Sequence, residues 1–135
     1  MPARDRYHDV VVRALRKAGW TILAEQVAVS MPTRRVWIDI RASKNPDTFA
    51  ILVEVKGFER LAAPVAYLAD TIGQCVLYQT ILEYAGVTDP LYLAVPAAAL
   101  TGILGEELGQ QLIRRTQVRL VLFDPVQEEI IRWIP

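Results

Sequence analysis

The sequence predicts a single α/β domain, a mixed β-sheet flanked by helices, with elements in the order α-β-β-β-α-β-α-β-β. Three observations predict it. Three β-rich stretches form a meander between Trp20 and Lys56. A long apolar helix follows them, which acts as a crossover and places helices on the faces of the sheet. It leads into Leu91–Val95, a short and wholly apolar run of the kind found in central strands. The 135 residues suffice for one domain, 1–135, with its own core. Hydrophobic residues make up 53% and charged residues 22%, a globular composition, and no apolar run is long enough to span a bilayer.

Each element has its own warrant. Pro2–Ala18 reads as an amphipathic helix, since Tyr7, Val10, Val11, Ala14, Leu15 and Ala18 recur at the helical period. Pro2 suits its first turn and Gly19 its stop. Trp20–Val29 is the first strand, Ser30–Thr33 a turn, and Val36–Arg41 the second strand. In that strand Val36, Ile38 and Ile40 form one apolar face, and Trp37, Asp39 and Arg41 lie on the other. Asn45-Pro46-Asp47 is a strong turn signal before the third strand, Ala50–Lys56. Gly57–Ala62 connects to a helix that starts at Pro64, runs to about Tyr84 and is closed by Gly86. It is apolar around most of its circumference and is expected to be largely buried, apart from a polar stripe of Asp70, Gln74 and Tyr78. Asp89-Pro90 turns into Leu91–Val95. A short helical stretch, Ala97–Leu104, and a helix, Glu106–Arg114, come next. The strands Val118–Phe123 and Glu129–Ile134 close the chain around Asp124-Pro125. Leu91–Leu100 and Ile130–Ile134 are apolar enough to feed a core or an interface, which leaves room for a homodimer.

The chemistry concentrates in the third strand. Ile51, Val53 and Val55 share one face, so Glu54 and Lys56 share the other. Two opposite charges in an otherwise apolar strand have two readings: an intramolecular ion pair, or a site. A short loop joins the second and third strands, so a hairpin is the simplest connection. If their apolar faces coincide, Asp39 falls on the face of Glu54 and Lys56. Two adjacent carboxylates stay ionised only around a cation. Mg²⁺ takes one or two carboxylates and completes its shell with water and phosphate. Asp39 and Glu54 could supply that pair for Mg²⁺ or Mn²⁺, and Lys56 could orient the attacking water. Together they would hydrolyse a phosphodiester.

At these residues the chain resembles the PD-(D/E)XK nuclease superfamily, whose fold is restriction-endonuclease-like. More narrowly it resembles the XisH family. Met1-Pro2-Ala3-Arg4-Asp5, Tyr7-His8-Asp9-Val10-Val11, Gly19-Trp20-Thr21-Ile22, Ile38-Asp39 and Val53-Glu54-Val55-Lys56 carry that resemblance. So do Gly73-Gln74 with Tyr78, Leu91–Pro96, Phe123-Asp124-Pro125 and Trp133-Ile134. XisH proteins are named as the fdxN element excision controlling factor and are known mainly from cyanobacteria. The resemblance implies a link to programmed DNA excision, with XisI, a small protein, and a site-specific recombinase as partners. It also implies Asp39, Glu54 and the Val55 carbonyl as metal ligands, Lys56 as the catalytic lysine, and an acidic residue on the first helix, Asp9 or else Glu25. The superfamily's usual Pro before the Asp is Ile38 here.

Other candidates each have a plainer reading beside the functional one. His8, the one histidine, lies beside Asp9 and could act as a base or water ligand, or simply pack. Gln74 and Tyr78 could line the site, or satisfy polar groups between helix and sheet. Arg34, Arg35, Arg41 and Lys44 are the best local basic cluster for nucleic-acid phosphate, with Tyr78 as a further contact; a solvated hairpin end explains the cations equally well. Cys75 reads as core, and a lone cysteine excludes an internal disulfide and a cysteine-clustered metal site. With no apolar N-terminal segment, the expectation is a cytoplasmic protein. Net charge is zero and the pI about 6.6, so no general electrostatic grip on nucleic acid is evident and any such contact would have to use a local patch. The rival function is therefore a non-catalytic accessory factor that binds XisI or a recombinase through the same fold.

Overall fold

A computed structural model of the chain describes residues 5–45, 49–58 and 62–135. The predicted helix start at Pro2, the Pro46-Asp47 part of the turn and the middle of the 57–62 connector lie outside these residues. Helix α1 (His8–Lys17) is followed by strands β1 (Thr21–Met31), β2 (Arg34–Asn45) and β3 (Phe49–Val55). Helix α2 (Pro64–Tyr84) leads to β4 (Leu91–Pro96), α3 (Glu107–Thr116), β5 (Arg119–Asp124) and β6 (Glu129–Ile134). The six strands form one mixed sheet in the order β1-β2-β3-β4-β5-β6. The pairs β3–β4 and β4–β5 are parallel, and the other three are antiparallel.

Period-2 alternation divides the core. Ile51, Val53, Val55, Ala94, Val121 and Phe123 pack on the face that α1 covers with Tyr7, Val11, Val12 and Leu15. Leu93, Val95, Leu120 and Leu122 point the other way, against Leu68, Ile72 and Cys75 of α2. Further along α2, Tyr78, Ile81 and Leu82 cover Val29, Ile38, Leu52 and Leu91. Gly19 and Gly86 end α1 and α2 at φ of +92° and +73°, a backbone that L side chains resist.

Four expectations are corrected. The strands are longer than read: Ser30 and Met31 belong to β1, and Ser43 to Asn45 belong to β2, because cross-strand pairing outweighs their turn propensity. Ala97–Leu104 forms two 3₁₀ turns, Ala97–Thr101 and Ile103–Gly105. Helix α2 buries one side only. Val65 is 61% exposed, Leu77 52% and Tyr84 59%, because the sheet covers a single face of the helix. Finally, Val36, Ile38 and Ile40 do not share a face: Ile38 and Val36 pack towards α2, whereas Ile40 packs with Val53 towards α1. The strand turns over between them, at Asp39.

Helix α3 rests on the preceding 3₁₀ turns through Gly109. A Cβ there would collide with the Ile103 carbonyl oxygen and come within 2.9 Å of Leu104 Cα. Both obstacles are backbone. Gly109→Ala is expected to destabilise the domain by about 1–3 kcal/mol, read by urea denaturation; a neutral result would contradict this packing.

Candidate active site

The site arises where β2 leaves β3. The two strands pair from Asn45–Phe49 to Ile40–Val53 and then part. Strand β2 continues with β1, and β3 continues with β4, with Lys56 N–H donating to the Ala94 carbonyl at 3.0 Å. The next residues, Asp39 and Glu54, face each other across the gap, and their side chains replace the missing ladder. Val55 N–H donates to Asp39 Oδ2 at 2.8 Å, and Asp39 N–H donates to Glu54 Oε1 at 3.2 Å. Each carboxylate thus satisfies a backbone donor of the opposite strand, which holds both in place.

The same point in β1 is irregular. The β1–β2 register pairs Glu25 with Ile40 and Val27 with Ile38 but skips Gln26 and Asp39 between them. Gln26 has φ of +55°, the left-handed region that a non-glycine residue adopts at a cost. This irregularity coincides with the turnover of β2, and the two together aim Asp39 into the gap. Gln26 Nε2 donates to Asp39 Oδ1 at 3.4 Å.

Asp39 and Glu54 are each 5% exposed. Burial, then the charge of Asp39, pushes the Glu54 carboxyl up to about 8, with the hydrogen bond from Asp39 N–H and then Lys56 opposing the rise. Without a cation between them, the pair therefore favours a protonated Glu54. Buried carboxylates in direct apposition with partial compensation from one lysine are the donor set a hard divalent cation fits. Together with the Val55 carbonyl they form the candidate ligand group. The electrostatics also distinguish this arrangement from a simple Glu54–Lys56 ion pair, in which the carboxyl would fall rather than rise.

Helix α2 closes the site. Tyr78 is buried, and its hydroxyl accepts from Gln74 Nε2 at 2.9 Å. Burial, then Glu54 and Asp39, keeps the Tyr78 hydroxyl protonated by raising its pKa. Gln74 and Tyr78 thus stand beside the carboxylates, whereas Asp70, the third member of the predicted stripe, is exposed. Cys75 is core, as read from the sequence, and burial followed by the charge of Glu54 raises its thiol to about 12, so it is no nucleophile.

Helix α1 covers the opposite face of the sheet. His8, 1% exposed, lies with Nε2 2.6 Å from Glu25 Oε1. Donor atoms of His8, Asp9 and Glu25 lie within 4.8 Å of one another. The two acidic alternatives, Asp9 and Glu25, thus meet at one place, around His8. Asp5, named above only within the resemblance, has a structural role: its carboxylate accepts from Tyr7 N–H at 3.0 Å and from Gly57 N–H at 3.2 Å, which ties the start of α1 to the residue after Lys56. An Asp three residues before the helix start was the available signal. Gln26 was also missed, and a backbone outlier inside a β-rich stretch leaves no composition signal.

The basic candidates do not converge. Arg34 and Arg35 sit at the tip of the β1–β2 hairpin and Lys44 near the far end of β2, roughly 30 Å away at the rise of a strand. Arg41 pairs with Asp89 at 2.9 Å, and the Lys44 ammonium lies 5.8 Å from the centroid of the Trp20 ring. The expected basic cluster beside Asp39 is therefore corrected: an extended strand separates what is close in sequence.

The family model described as XisH protein matches residues 1–131. The chain belongs to the XisH family. Solved structures agree. An XisH family protein from Nostoc punctiforme PCC 73102 is 29% identical, with a TM-score of 0.88 over 97% of this chain and 100% of that one. An fdxN element excision controlling factor protein from Anabaena variabilis is 30% identical, with a TM-score of 0.89 over 98% of this chain and 100% of its own. No curated protein matches the chain. Among the described residues, no helix of this XisH protein is long and apolar enough to cross a membrane.

Proposed function

We propose that this XisH protein is a metal-dependent phosphodiesterase of DNA, built on the restriction-endonuclease-like fold of the PD-(D/E)XK superfamily and acting in excision of a DNA element. The buried pair of Asp39 and Glu54, set where β2 and β3 part, carries this reading. A backbone outlier beside two buried carboxylates in apposition supports reading the pair as a site rather than a structural brace. In this reading Asp39, Glu54 and the Val55 carbonyl hold Mg²⁺ or Mn²⁺. The ion would supply charge neutralisation at the scissile phosphate and acidity for a water. Lys56 holds that water and then stabilises the charge growing on the phosphoryl oxygens. His8, held by Glu25 beside Asp9, would take up a proton in this reading. Gln74 and Tyr78 present neutral donors to the phosphate. Arg34 and Arg35 at the hairpin tip contact the backbone of the nucleic acid, and Arg41 and Lys44 support the scaffold instead.

Incubation with supercoiled plasmid and single-stranded DNA, with Mg²⁺ or Mn²⁺ and with EDTA, tests the reading. Metal-dependent nicking or degradation is expected; its absence in every metal would overturn it.

A second reading rests on the exposed apolar side of α2, with Val65, Leu77 and Tyr84, and on the zero net charge. In it the chain is a non-catalytic platform for an XisI-like protein, a recombinase or a second copy of itself. Inactivity in the cleavage assay together with a stable complex would favour it.

A further inference from the structure

Gln26 has a role that its residue type does not announce. It is a non-glycine residue in the left-handed region, φ +55°, inside the 11-residue strand β1. Left-handed backbone costs roughly 1–2 kcal/mol for an L side chain, and strand positions rarely carry it. The residue opposite is Asp39, and Gln26 Nε2 donates to Asp39 Oδ1 at 3.4 Å. A carboxylate only accepts, so the amide must turn its NH₂ towards Asp39 and its oxygen away. That oxygen, Oε1, is buried and has no hydrogen-bond partner. A buried acceptor without a donor is costly, and a protein keeps one where something else fills it.

We infer that Gln26 is a positioning residue of the Asp39–Glu54 site: Nε2 holds Asp39 in its metal-binding orientation, and Oε1 accepts from a water of the cation's shell. The inference rests on the phosphodiesterase reading and deepens it. A neutral oxygen suits this place. Asp39 and Glu54 already face each other in a buried gap, so a third carboxylate would add repulsion, whereas an amide adds a donor and an acceptor without charge. The left-handed backbone follows from the same need. An extended residue at this position would send its side chain to one face of the sheet, away from the gap between β2 and β3.

Gln26→Gly separates the side chain from the backbone, because glycine adopts the same φ without strain. Mn²⁺ affinity of the full chain is measured by calorimetry, beside the melting temperature without metal. A melting temperature equal to or above that of wild type is expected, with Mn²⁺ affinity at least tenfold weaker, as for other outer-shell partners of metal sites. Gln26→Asn tolerates the same backbone and keeps a shorter amide, so its affinity should fall between the two. Wild-type binding that Gln26→Gly leaves within twofold overturns the inference alone. A wild type that takes up no Mn²⁺ at millimolar concentration overturns the phosphodiesterase reading, and the inference with it.

Discussion

Glu54→Gln is expected to stabilise the metal-free protein by about 4 kcal/mol at pH 8, and by about 1 kcal/mol or less at pH 5. The cause is the apposition of Glu54 and Asp39 in a dry gap. Burial and Asp39 raise the Glu54 carboxyl from its ordinary 4.5 to about 8. Between those values the folded protein keeps a proton that the unfolded chain has lost. Wild-type stability is therefore fully present below about pH 4.5 and declines as the pH climbs through about 8. Glutamine has nearly the same shape, carries no charge and can donate to Asp39, so the decline disappears. Urea denaturation in EDTA at the two pH values reads the effect. A structural Glu54–Lys56 ion pair predicts the opposite sign, a loss of a few kcal/mol on breaking the pair. The same substitution should remove divalent-cation binding.

Lys56→Ala is expected to lower the metal-dependent cleavage rate by about 10²–10³, the scale for losing one preorganised charge at a developing oxyanion. Metal affinity should change little, and rise rather than fall, because Lys56 supplies positive charge beside the cation. This pairing of lost rate with retained metal distinguishes Lys56 from Glu54. Lys56 is only partly buried and follows the last residue of β3, so its removal leaves the core intact. Cleavage by Lys56→Ala at the wild-type rate would remove it from the mechanism.

Much of the fold was legible because period-2 alternation and capping chemistry are local. Ile51, Val53 and Val55 against Glu54 predict the two faces of β3, and Gly19 and Gly86 mark where α1 and α2 stop. The apposition of Asp39 and Glu54 followed from a hairpin and matching faces. The turnover of β2 was not legible, because it coincides with an irregularity at Gln26, in another strand. An uninterrupted alternation through Val36, Ile38 and Ile40 was the natural reading, yet it would have left Asp39 without its present geometry. Long-range partners were likewise hidden: Arg41 finds Asp89 across 48 positions, and His8 finds Glu25 across 17. The exposed side of α2 escaped for another reason. An apolar helix reads as buried, and composition alone does not say how many layers cover it.

Soaking crystals in Mn²⁺ at pH 8 and recording anomalous diffraction tests the central claim most directly. The account predicts a peak between Asp39 and Glu54, at about 2.0–2.3 Å from an oxygen of each. No peak there at 10 mM Mn²⁺, roughly the upper range of any useful affinity, would contradict it. So would a peak confined to His8, Asp9 and Glu25.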